Sequence, residues 1–154
     1  MQVYNNDMPF KNMKKKLTIF LLIAFSSTMN AQTIFGNWLS KNKDGTIDSV
    51  IKVYKKDGKV VAKIIEIKDT TRQSAVCELC EGRNKNKPIL GLNILTGLEK
   101  QDDEWSGGTI LDPRNGKVYQ CYIELVKPNK LKLRGYIGIS LFGKTAYWER
   151  AESF

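Results

Sequence analysis

Histidine is absent from this chain. The omission removes the usual general base of neutral-pH catalysis and the commonest protein ligand for transition metals. Most hydrolase triads are excluded with it. Also missing is an uninterrupted apolar run of the roughly 20 residues that a membrane-crossing helix needs. The run Leu17 to Phe25 stops at Ser26 and Ser27. From Gly36 onward no helical period of three or four develops, and cysteine is scarce, with Cys77, Cys80 and Cys121 the whole supply.

What is present begins with a leader. Lys14, Lys15 and Lys16 form a basic segment, Leu17 to Phe25 an apolar one, and Ser26 to Ala31 a polar one that ends on a small residue. That three-part order predicts a cleavable secretory signal peptide over residues 13–31. Residues 1–12 lack signal character, so the true start is expected at Met13. The mature segment is then residues 32–154, exported to the periplasm or secreted, with no transmembrane anchor.

Removing residues 1–31 takes four of 25 basic residues and one of 16 acidic ones, which leaves a net charge of +6. A basic surface favours anionic partners. In an exported protein these are envelope components or a small amphipathic or anionic ligand, and nucleic acid is not expected.

The mature segment divides into short β-prone runs: Gly36 to Ser40, Ser49 to Lys55, Val60 to Ile67, Ile94 to Leu98, Gly108 to Leu111, Val118 to Leu125, Leu131 to Tyr136 and Thr145 to Arg150. Asp57-Gly58 and Asp112-Pro113-Arg114-Asn115-Gly116 are turn sequences, and Pro128-Asn129 joins a third pair. Within Val118 to Leu125, Tyr119, Cys121, Ile123 and Leu125 fall on one face, and Gln120, Tyr122 and Glu124 on the other. This is the alternation of a strand buried on one side. Successive hairpins of this length predict an all-β fold, a small antiparallel barrel that hides its sheet edges. Residues 68–93 stand apart as a long, polar, cysteine-bearing excursion.

Gly36-x-Trp38 opens the first run and Trp148-Glu149-Arg150 closes the last. In a closed barrel the first and last strands are neighbours, so Arg150 can lie across the Trp38 indole as a structural cation–π contact. The pair Cys77 and Cys80 lacks the strand-to-helix setting of a redox motif, and two thiols without histidine fall short of a zinc site. In an oxidising compartment a local disulfide is the preferred reading. Pairing of either residue with Cys121 stays open on sequence alone.

Gly138-Ile-Ser140-Leu-Phe142 misses the nucleophile-elbow pattern, and Asp102, Asp103 and Glu104 read as a solvated turn. No catalytic or metal set emerges, and no cofactor is implied. Trp105, Arg134, Tyr136 and Tyr147 are the candidate ligand contacts, aromatic walls with one charged anchor.

With these residues assembled, the chain resembles an exported bacterial family known as domain of unknown function 2147. The resemblance rests on Gly36-x-Trp38; Cys77-x-x-Cys80-x-Gly82 with Lys87-Pro88 and Gly91; Trp105-x-Gly-Gly108-x-Ile-Leu-Asp-Pro113-x-x-Gly-Lys-x-Tyr119; Leu131 to Gly143; and Trp148-x-Arg150. It implies a calycin-like (lipocalin-like) β-barrel in the cell envelope, without an established activity or cofactor. The function expected is non-catalytic binding of a small amphipathic or anionic molecule. The alternative is an interaction module with a solid barrel core, acting through the loop from Cys77 to Gly91 and its Arg83, Lys85 and Lys87.

Overall fold

The computed structural model describes residues 33–151. The expected leader and the stretch upstream of it lie outside the described residues. Eight strands form a closed antiparallel barrel in which each pairs with the next and the last pairs with the first: β1 (Gly36–Lys41), β2 (Ile47–Lys56), β3 (Lys59–Ile67), β4 (Asn93–Gln101), β5 (Glu104–Asp112), β6 (Lys117–Lys127), β7 (Lys130–Tyr136) and β8 (Lys144–Arg150). All eight sequence-predicted runs are strands. The largest shift is in β5, which begins at Glu104 rather than Gly108 because its register slips between Trp105 and Gly108. A bulge of this kind lets one strand continue through an extra residue that breaks the alternation.

Local chemistry explains the turns. Asp57 and Gly58 both take positive φ, 50° and 81°, as the two central positions of a tight hairpin require. At the β5–β6 turn the Asp112 carboxylate accepts hydrogen bonds from the Arg114 amide and Nε at 3.1 and 2.9 Å, and the Gly116 amide donates to the Asp112 carbonyl at 2.9 Å. This side-chain contact raises the Arg114 pKa above its ordinary value.

Side chains from all eight strands meet in one buried cluster. Trp38, Val53, Leu95, Leu98, Cys121, Ile123, Leu131 and Trp148 belong to it. The opposite faces carry Lys52, Lys63, Gln120, Glu124 and Lys132, so charge occupies the wall where a membrane-spanning barrel presents an apolar band. Lys132 Nζ donates to Glu124 Oε2 at 2.9 Å across the β6–β7 pair. Among the described residues no helix is long and apolar enough to cross a membrane.

Cys77 and Cys80 form a disulfide, and Cys121 is a free, buried thiol. Burial pushes the Cys121 pKa up to about 12, which withholds the reactive thiolate at neutral pH. Thiol alkylation is therefore expected to find no reactive cysteine in the native protein, one after denaturation without reductant, and three after reduction. Three reactive thiols before reduction would contradict the pairing.

Candidate functional site

The two ends of the barrel differ in construction. One carries the β2–β3, β4–β5 and β6–β7 hairpin turns together with the start of β1 and the end of β8. There the Arg150 guanidinium lies 4.3 Å from the Trp38 ring centroid. It also donates to the carbonyls of Pro128, Phe35 and Thr33 at 2.9, 3.2 and 2.5 Å. Trp38 Nε1 donates to the Ile34 carbonyl at 2.8 Å, so the indole is buried without an orphan donor. Gly36 has φ of +121°, and a Cβ there would stand 3.3 Å from Arg150 Nη1. The glycine of the Gly-x-Trp pair thus admits the guanidinium. This end is sealed by main-chain carbonyls on one cation.

The other end gathers the longer connections, residues 42–46, 68–92, 113–116 and 137–143. The excursion 68–92 is folded upon itself rather than loose. Asp69 opens its first 3-10 turn (Thr70–Arg72) by accepting from the Thr71 amide and hydroxyl, contacts that lower the Asp69 pKa. Val76 and Pro88 form a bridge, and the Cys77 amide donates to the Lys87 carbonyl at 2.8 Å. Cys77, Cys80 and Leu92 join the core cluster, so the disulfide is a buried peg. The peg docks on the β5–β6 turn: Cys77 Sγ lies 3.6 Å from the Pro113 carbonyl. At Gly116, φ is +71°, and a Cβ would fall 1.9 Å from the Leu79 carbonyl oxygen. Only glycine permits this approach.

Between the docked loop and the barrel wall lies an open groove of about 410 Å³, lined by Glu81, Asn84, Leu111, Gly116, Lys117, Val118 and Ile137. Leu111, Val118 and Ile137 contribute apolar side chains to it, and Glu81, Asn84 and Lys117 polar ones. Beside it the β7–β8 connection forms a lip. Arg134 donates to the carbonyls of Ser140 and Leu141 at 2.7 and 3.0 Å and to Thr145 Oγ1 at 2.8 Å.

The structure does not gather the four sequence-predicted ligand contacts at one place. Trp105 is half-buried near the β4–β5 turn at the sealed end, with Lys100 Nζ 4.8 Å from its ring centroid. Tyr147 is exposed, and its ring carries Lys130 Nζ at 4.3 Å. Arg134 is committed to the lip backbone. Tyr136 immediately precedes Ile137 at the groove. Sequence reasoning did not single out Leu111, Val118 or Ile137, because the groove is created by a loop distant in sequence. Among the described residues no group of three or more Cys, Asp or Glu side chains is placed to hold a metal ion.

Residues 36–150 match the family described as "Uncharacterized protein conserved in bacteria (DUF2147)". The chain belongs to the DUF2147 family. Among solved structures it is similar to "Protein HP1028 from the human pathogen Helicobacter pylori belongs to the lipocalin family". The TM-score is 0.68 at 20% identity, covering 78% of this chain and 84% of that one. The DUF2147 domain thus has a lipocalin-like barrel. No protein of curated function matches the chain.

Proposed function

We propose that this DUF2147 protein is exported and works as a non-catalytic binding protein for a small amphipathic anion held in the open-end groove. The observation that carries the reading is a separation. Side chains from all eight strands fill one buried cluster, whereas about 410 Å³ stands open between the disulfide loop and the wall. Eight-stranded barrels elsewhere either fill with their own side chains or hold one small ligand. Here the filled centre favours the mouth. Leu111, Val118 and Ile137 offer an apolar wall, Lys117 a charge for an anionic head, and Asn84 a hydrogen-bonding amide.

A filled core also suits an interaction module acting through the Cys77 to Gly91 loop. Native mass spectrometry of the protein recovered without detergent from the periplasmic or culture fraction separates the two. The expected species is residues 32–154 with a bound anionic amphiphile, and Lys117→Glu is expected to lower the occupancy about tenfold by placing like charge beside the head group. Bare protein from the wild type would overturn the binding reading; a chain found in the cytoplasm with its leader intact would overturn export.

A further inference from the structure

Four large apolar side chains stand in solvent on the short lip between β7 and β8. Ile137, Ile139, Leu141 and Phe142 are 72, 58, 74 and 79% exposed. Scattered single exposures of this sort are ordinary, but four within six residues on one loop are not. The lip is also a built feature. Arg134 pins the Ser140 and Leu141 carbonyls, and a Cβ at Gly143 would lie 2.7 Å from the Gly135 carbonyl oxygen. With its backbone polar groups turned to Arg134, the loop offers its side chains outward.

The surrounding charge is one-sided. The open-end connections 42–46, 68–92, 113–116 and 137–143 hold seven basic residues against four acidic ones, and the strand residues that adjoin them add Lys41, Lys117 and Lys144 against Asp112, so an anionic surface is the complement. Of these cations, Arg83, Lys87, Lys117 and Lys144 form no salt bridge among the described residues. Exposed apolar side chains beside unneutralised lysine and arginine are the pattern of a segment that enters the head-group region of an anionic bilayer. The charged barrel wall cannot follow the lip into the hydrocarbon.

We propose that the β7–β8 lip docks the open end of the barrel on an anionic lipid bilayer, with Leu141 and Phe142 inserting and Lys117 and Lys144 meeting the head groups. This surface shares Ile137 and Lys117 with the small-ligand groove, but Leu141, Phe142 and Lys144 lie outside it, and the docking stands whether or not the groove is occupied.

Co-sedimentation of the mature chain tests it, with vesicles of phosphatidylcholine alone and vesicles containing phosphatidylglycerol. The wild type is expected to bind the phosphatidylglycerol vesicles, to release them in high salt, and to ignore phosphatidylcholine. The double variant Leu141→Ser, Phe142→Ser is expected to lose about tenfold in vesicle affinity. Its melting temperature should not change, since both side chains are exposed. In a Phe142→Trp variant, the emission should shift to the blue only with anionic vesicles. Absence of wild-type vesicle binding, equal binding by the double variant, or an unmoved Trp emission would each overturn the proposal. So would a wild-type dimer that becomes a monomer in the double variant, since the lip would then serve a second copy of the chain.

Discussion

Trp38→Ala is expected to cost about 3–5 kcal/mol of folding stability and to lower the melting temperature by roughly 10–20 °C. The indole is completely buried. It fills the sealed end of the core, donates to the Ile34 carbonyl, and is the surface on which the Arg150 guanidinium rests. Its removal leaves a cavity and takes the stacking partner from a cation that ties three backbone segments together. Arg150→Ala should cost about 2 kcal/mol, through three lost carbonyl acceptors and the cation–π contact. The two substitutions touch one network, so together they should cost less than the sum of the two alone. Thermal and urea denaturation of the single and double variants measure this. A Trp38→Ala protein as stable as the wild type would show that β1 and β8 are not held in this way.

Gly116→Ala acts at the other end and should leave the barrel folded. It combines two penalties: positive φ in a residue with a Cβ costs about 1–2 kcal/mol, and that Cβ would overlap the Leu79 carbonyl oxygen at 1.9 Å. Neither partner of the overlap is a flexible side-chain end, so the disulfide loop must lift. Amide hydrogen exchange at Cys77 and Ile89 is expected to accelerate roughly a hundredfold, about 3 kcal/mol of local protection, while amides of β6 and β7 keep theirs. Gly116→Asn separates the causes. Asparagine tolerates the left-handed region but still carries a Cβ, so it should undock the loop as well. Unchanged exchange in both variants would mean that the loop does not rest on the turn.

Much of the barrel was legible because its strands report their own burial. Cys121 and Ile123 alternate with Gln120 and Glu124, and Leu131 and Leu133 with Lys132 and Arg134. Each apolar set is buried in the fold. Asp57-Gly58 announced its hairpin for an equally local reason. The site was legible only in fragments. Leu111 falls next to a turn and reads as an ordinary strand residue, and Glu81 and Asn84, which line the groove with it, lie some 30 residues earlier in the chain. The polar excursion 68–92 gave no sign that it folds over the mouth, because its buried members are two cysteines and Leu92 rather than a periodic stripe. Arg134 read as a ligand anchor because a lone arginine among glycines and aromatics has that composition. Its partners are two backbone carbonyls of the following loop and the Thr145 hydroxyl, which sequence does not display. The glycines Gly116 and Gly143 were the available clue, since each sits where two backbones approach too closely for a side chain.

The binding reading is tested most directly by following backbone amide signals of residues 32–154 in NMR spectra during titration with dodecyl phosphate, a simple amphipathic anion. Shifts are expected to concentrate at Asn84, Gly116, Lys117, Val118 and Ile137 and to shrink in Lys117→Glu, with Leu98, Ile123 and Leu131 unmoved at the barrel centre. Shifts centred on those interior residues would place the ligand inside the barrel, and a titration that moves no signal would leave the groove without its proposed role.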